Sequence, residues 1–161
     1  MEKLNLKENI TWIGALDPNL RVFDIIMETE FGTSYNSYFV KGETKCVLFE
    51  TVKVKFWDQY LEKLKSMTDI DSIDYLVVDH TEPDHVGSVE KLLEINPNIT
   101  IVGSASAIGF LKEITNRPFE SIKVNTGDTI DLGNKTLEFI SAPFYIGQIQ
   151  CIPILKKIKH L

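Results

Sequence analysis

Two histidines and three carboxylates lie within seven consecutive positions, and metal binding is the chemistry that this density indicates. Residues 79–85 read Asp-His-Thr-Glu-Pro-Asp-His. Carboxylates crowded into one turn repel one another unless a positive charge lies among them, and a bound divalent metal usually supplies that charge. A set of imidazole and carboxylate ligands without a thiolate suits iron or manganese and remains compatible with zinc.

The spacing of these residues predicts two groups of ligands on one turn. In an extended segment alternate residues share a face, so His80, Glu82 and Asp84 can point the same way. Asp84 and His85 together can serve a neighbouring metal. Pro83 fixes its own φ and biases Glu82 away from helix, which favours that extended geometry.

A solvated acidic turn at a helix start, capped by Asp84 or Ser88, is the alternative to a metal site. A single histidine and aspartate pair would favour this alternative, because short motifs often match by chance. Five residues able to bind metal, placed directly after a strand, favour the metal site instead.

The elements around the turn indicate one mixed-sheet domain. Tyr75–Val78 is a continuous apolar run typical of a buried strand, so the turn lies at a carboxyl strand end, where open α/β sheets place their sites. Antiparallel strands come before it and β-α-β units follow it, a pattern typical of an α+β fold. Predicted strands cover residues 10–16, 22–26, 34–40, 45–50, 99–102, 122–124, 129–132 and 136–140, and predicted helices cover residues 54–67, 88–95 and 105–114.

The bulk composition excludes several classes of protein. The chain has 161 residues, of which 43% are apolar, which suits one domain with a real core. Its net charge of -6 argues against nucleic acid or an anionic membrane as the main partner. Cys46 and Cys151 offer no paired metal spacing, and we find neither a signal-peptide block in residues 1–20 nor a membrane-length apolar run. We therefore expect a cytoplasmic protein.

At residues 80–85 the chain resembles the flavodiiron proteins, whose metallo-β-lactamase domain carries His-x-Glu-x-Asp-His. Hydrolytic relatives carry histidine where this chain has Glu82, so Glu82 is the discriminating residue. The resemblance also covers residues 32–38, 125–128 and 141–144. It implies an α+β fold, the metallo-β-lactamase-like αββα sandwich, of which this chain would be the N-terminal part.

The resemblance also implies a function and a ligand set. His80 and Glu82 would bind one iron, and Asp84 and His85 the second. Such a non-haem di-iron site reduces oxygen to water or nitric oxide to nitrous oxide, with electrons from FMN in a following flavodoxin-like domain, usually of the partner subunit in a head-to-tail dimer. A rubredoxin-like carrier donates the electrons. A zinc hydrolase using the same turn and a non-catalytic assembly module remain as alternatives, and the choice between oxygen and nitric oxide stays open.

The chain departs from the family after residue 144. There the family continues Leu-His-Trp-Pro-Asp, which supplies a third histidine ligand, whereas this chain reads Tyr-Ile-Gly-Gln-Ile. We therefore predict a partial domain over residues 1–144 and a divergent tail over residues 145–161. The bridging aspartate, the last histidine and the flavodoxin-like domain are absent from these 161 residues.

Loss of one nucleotide after the Phe144 codon would explain the tail. Codons allowed for residues 145–154, regrouped one base earlier, can spell Leu-His-Trp-Pro-Asp-Thr-Met-Tyr-Thr-Tyr, which continues the family motif. A natural short paralogue is the alternative. In either case we expect an uncovered apolar sheet face that favours self-association, and little or no reductase activity from the chain alone.

Overall fold

The computed structural model describes residues 3–142 and 151–157, which form two packed sheets of seven and three strands, two small two-stranded sheets, and helices on one side of the large sheet. The strands of this part of the chain are β1 Leu4–Lys7, β2 Ile10–Trp12, β3 Ala15–Asp17, β4 Val22–Phe23, β5 Met27–Glu28, β6 Thr33–Tyr35, β7 Tyr38–Lys41, β8 Cys46–Phe49, β9 Tyr75–Val78, β10 Thr100–Gly103, β11 Glu120–Lys123, β12 Thr129–Asp131, β13 Lys135–Ser141 and β14 Cys151–Lys157. The helices are α1 Trp57–Lys65, α2 Pro83–Val86, α3 Val89–Ile95 and α4 Ala105–Ile114, with 3-10 turns at Val54–Phe56 and Ile70–Ser72. None of these helices is long and apolar enough to span a membrane.

Seven described strands form the large sheet, in the order β1-β2-β7-β8-β9-β10-β11. Strands β1, β2, β7 and β8 pair antiparallel, whereas β8, β9, β10 and β11 pair parallel. This arrangement confirms the predicted change from a meander to β-α-β units. It also aligns the carboxyl ends of β8 and β9, which brings the segments after them together.

Alternate residues of the central strands enter two separate cores. Leu76 and Val78 of β9 pack with helical residues such as Leu92, whereas Val77 packs with Phe139 of the second sheet. These five side chains are at most 1% exposed. Successive side chains of a strand point to opposite faces, so a continuous apolar run requires a cover on both sides of the sheet.

The second sheet covers the face that we expected to be bare. It consists of β12, β13 and β14 among the described residues. Leu132, Leu137 and Phe139 are fully buried against Val47 and Val102 of the large sheet. The expectation of an uncovered apolar face on the large sheet is therefore wrong, because two strands and part of the tail already shield it.

The predicted tail over residues 145–161 is described only at residues 151–157. These residues form β14, which pairs antiparallel with the whole length of β13. Leu155 packs against the core between the sheets, while Ile152 and Ile154 on the outer face are 44% and 39% exposed. Residues 145–150, where the departure from the family motif begins, lie outside the described part of the chain.

Exposed apolar side chains concentrate on the N-terminal hairpin of β4 and β5. Ile25 and Ile26 at its tip are 91% and 83% exposed, and Phe31 beyond it is 82% exposed. We predicted one strand over residues 22–26, but Asp24 and Ile25 have φ values of 49° and 71° and reverse the chain there. The most exposed large apolar side chains among the described residues therefore lie at and just beyond this hairpin.

Candidate metal centre

The predicted ligands lie on the turn that joins β9 to α3. Glu82 is extended, with φ -71° and ψ 154°, and Pro83 opens the single helical turn of α2. The prediction of an extended segment is thus confirmed at Glu82 and wrong for Asp84, which lies within that helical turn together with His85. The reason is that proline is preorganised for the first position of a helix and needs no hydrogen-bond acceptor there.

The four predicted ligands approach one another in two pairs. Nε2 of His80 lies 3.1 Å from Oε1 of Glu82, and Nε2 of His85 lies 3.6 Å from Oδ2 of Asp84. The two imidazole rings stand edge to face, with their centroids 5.0 Å apart. Each pair offers one imidazole and one carboxylate, which is the donor set that divalent iron accepts.

Four buried polar atoms around the turn have no hydrogen-bond partner. Buried polar atoms in proteins are nearly always paired, so four such atoms in one place distinguish this turn from an ordinary solvated one. Two of the four are carboxylate oxygens, and a nearby cation would offset their negative charge. The atoms are Oε2 of Glu50, Oδ1 of Asp79, Nδ1 of His80 and Nδ1 of His85.

Within the described residues no three histidine, cysteine, aspartate or glutamate side chains converge on a single point as metal ligands. The arrangement is therefore two open pairs. The residues present fit a metal that completes its coordination with further ligands.

Glu50, which was not predicted as a site residue, organises the turn from the end of the neighbouring strand. Its Oε1 accepts hydrogen bonds from the backbone N–H groups of Asp79 at 2.5 Å and His80 at 3.0 Å. Glu50 follows β8 directly and has a φ of 55°, a left-handed conformation that side chains rarely adopt. Its position at the carboxyl end of the predicted strand over residues 45–50 is the signal that could have revealed it.

The segment after Glu50 fixes the other end of the turn. The N–H and the hydroxyl of Thr51 both donate to the carbonyl oxygen of His85, at 2.7 and 2.6 Å. The hydroxyl of Ser88 donates to the carbonyl oxygen of Val52 at 2.8 Å. Because these bonds are at least partly buried, they fix the backbone at His85 and Ser88.

Comparison with known proteins establishes the family. The profile of the ODP family beta lactamases matches residues 33–151. This chain belongs to that family. It is 49% identical over 161 residues to the flavo-diiron protein FprA2 of Clostridium acetobutylicum, covering 99% of this chain and 40% of FprA2.

Solved structures of flavodiiron proteins have the same fold. The flavodiiron protein of Giardia intestinalis superposes with a TM-score of 0.90 at 26% identity, over 96% of this chain and 38% of its own. Rubredoxin oxygen:oxidoreductase of Desulfovibrio gigas gives 0.88 at 28% identity, over 94% and 38%. The predicted metallo-β-lactamase-like α+β fold and the resemblance to flavodiiron proteins are thus confirmed. The chain spans about two fifths of the length of these relatives.

Electrostatics in this ODP-family turn favour a bound cation. Burial, together with the negative charge of Glu50, holds the pKa of Asp79 well above its usual value, and His85 opposes this shift. Burial lowers the pKa of His85, but the adjoining carboxylates, Glu50 first and then Asp84, raise it by more. The negative charge of Glu50 contributes to both shifts, and a metal ion bound at the turn would offset that charge.

Proposed function

We propose that this chain supplies the first four ligands of the di-iron centre of a flavodiiron oxygen or nitric oxide reductase. The observation that carries the proposal is Glu82, a carboxylate beside His80 in a homologue of flavodiiron proteins. Hydrolytic relatives have a histidine at this position, according to the resemblance described above. A carboxylate in its place favours iron over zinc as the resident metal.

Each residue of the turn has a defined part in this proposal. His80 and Glu82 would hold one iron, and Asp84 and His85 the other. A bound iron pair would supply redox chemistry for the reduction of oxygen to water or of nitric oxide to nitrous oxide, with FMN as the electron source by family resemblance. The carboxylates of Glu82 and Asp84 stabilise the more positive oxidised state, while the imidazoles fix the geometry of the site.

The remaining parts of the reductase would come from outside the described residues. Each metal would receive two donors from the turn, so further ligands would be required. The flavodoxin-like domain, a head-to-tail homodimer, a rubredoxin-type donor and a cytoplasmic location complete the proposal by family resemblance. We propose that residues 1–161 alone have little or no reductase activity.

Substitution of Glu82 by histidine tests whether this position selects the metal. We expect the ratio of Zn(II) to Fe(II) affinity to rise at least about tenfold, the lower end of what changes around a metal site cause. The physical reason is that imidazole suits zinc better than a carboxylate does. Anaerobic competition titrations with both metals measure the ratio in wild type and Glu82→His.

The matched control is Glu120→His, the same substitution at an exposed position of β11. It should leave the affinity ratio unchanged. A wild-type chain that binds no Fe(II), or a Glu82→His variant with an unaltered ratio, would contradict the iron assignment and leave the zinc hydrolase or the assembly module as the better reading.

A further inference from the structure

The two carboxylate oxygens of Glu50 have different surroundings. Oε1 is occupied by two backbone N–H groups of the metal-binding turn, as described above. Oε2 is buried, has no hydrogen-bond partner and faces Nδ1 of His85 at 3.5 Å. This distance exceeds that of an ordinary N–H···O hydrogen bond, so Oε2 and Nδ1 are neighbours but are not hydrogen-bonded in this structure.

The other nitrogen of the same ring points to the metal site. Nε2 of His85 lies 3.6 Å from Oδ2 of Asp84, its partner in the proposed ligand pair. In a neutral imidazole one ring nitrogen carries the hydrogen and the other carries a free lone pair. The group that faces one nitrogen determines which of the two carries the hydrogen. An ionised carboxylate can only accept, so it favours the proton on the nitrogen that it faces.

We propose that Glu50 is a positioning residue that holds the proton of His85 on Nδ1 and so directs the Nε2 lone pair at the metal. The inference rests on the proposed function, because it assigns Glu50 a part in the same site. Outer partners of metal-binding histidines act in this way in many proteins, by fixing the tautomer and the ring orientation.

The backbone conformation of Glu50 is consistent with this positioning role. A left-handed φ of 55° would be relaxed for glycine and is strained for glutamate. Hydrogen bonds from its N–H to the carbonyl oxygen of Val77 and from the Ser37 hydroxyl to its own carbonyl oxygen hold the conformation. The strained backbone aims the carboxylate between the start of the turn and His85, a task that glycine could not perform.

The variant Glu50→Gln keeps the hydrogen-bond acceptor for the turn but replaces the oxygen that faces Nδ1 of His85. The amide oxygen still accepts the N–H groups of Asp79 and His80, which fixes the orientation of the amide. Its NH2 group then faces Nδ1 of His85 and can only donate. We expect the proton of His85 to move to Nε2 and the affinity for Fe(II) to fall about 10–100-fold.

Nitrogen-15 NMR of the His85 ring in the metal-free chain, at alkaline pH where the ring is neutral, reports the tautomer without any activity. We expect an Nδ1–H ring in wild type and an Nε2–H ring in Glu50→Gln. Anaerobic titration with Fe(II) gives the affinities, and a far-UV CD spectrum unchanged from wild type shows that the variant folds. Glu62→Gln, an exposed glutamate of α1, is the matched control and should match wild type in both readouts.

The outcomes distinguish the two claims. Wild type that binds no Fe(II) contradicts the proposed function. If wild type binds Fe(II) but its His85 carries the Nε2–H tautomer, the positioning role of Glu50 is overturned and the proposed function is not. This wild-type measurement does not depend on whether Glu50→Gln folds. A folded Glu50→Gln variant that binds Fe(II) as tightly as wild type overturns it as well.

Discussion

Replacing His80 and His85 together with alanine lowers the affinity of the chain for Fe(II) by more than about 100-fold, the upper end of what losing even an outer partner of a metal ligand costs. Each proposed pair then keeps only its carboxylate, and two isolated carboxylates hold divalent iron weakly. Anaerobic equilibrium dialysis, with iron analysis of both compartments, measures the affinity of wild type and variant.

The third histidine of the sequence provides the matched control for this experiment. His160 lies outside the described residues and belongs to neither proposed pair. His160→Ala should bind Fe(II) as wild type does. Equal affinity in wild type and the double variant, or an equal loss in His160→Ala, would show that iron binds elsewhere.

Substitution of Phe139 by alanine lowers the free energy of unfolding by about 3–5 kcal/mol, the usual cost of removing a buried aromatic side chain. Phe139 is fully buried in β13 and packs between the sheets with Val77 and Val102. Alanine would leave a cavity at the contact that holds the second sheet on the first. Urea denaturation, followed by far-UV CD, measures the change.

Phe110→Ala is the matched control, since Phe110 is 53% exposed on α4. It should change the free energy of unfolding by less than about 1 kcal/mol. Similar losses in the two variants would contradict the packing of β13 against the large sheet.

The elements with strong local signals were predicted with their observed bounds. The strand Tyr75–Val78 is an uninterrupted apolar run. The helix Ala105–Ile114 is capped by Ser104, whose hydroxyl accepts a hydrogen bond from the N–H of Ala107. These segments owe their structure to their own residues, through burial of both strand faces and through helix capping. Their bounds can therefore be predicted from the local sequence alone.

Other elements depend on contacts that local patterns do not contain. The predicted strand over residues 10–16 divides at Gly14, where a Cβ atom would lie 2.1 Å from the carbonyl oxygen of Tyr35. The chain therefore leaves the large sheet there and pairs β3 with β6. Strand β14 was not predicted, because its pairing with β13 and the burial of Leu155 are long-range effects.

The residues of the candidate site likewise divide into a local motif and a residue that joins it through a long-range contact. The turn with His80 and His85 is a dense local motif and was found from the sequence. Glu50 lies about thirty positions earlier and joins the site only because β8 and β9 are parallel neighbours, as its bond to His80 N–H shows. Its strained backbone has no sequence signal, since glutamate is an unexceptional residue at a strand end.

In the proposed function, the turn after β9 binds iron through His80, Glu82, Asp84 and His85. Crystals soaked anaerobically in ferrous salt, with diffraction recorded above and below the iron absorption edge, test it most directly. We predict anomalous difference density about 2.0–2.3 Å from the imidazole and carboxylate atoms of these residues. Well-ordered side chains in the soaked crystals with no anomalous density near any of the four would contradict the account.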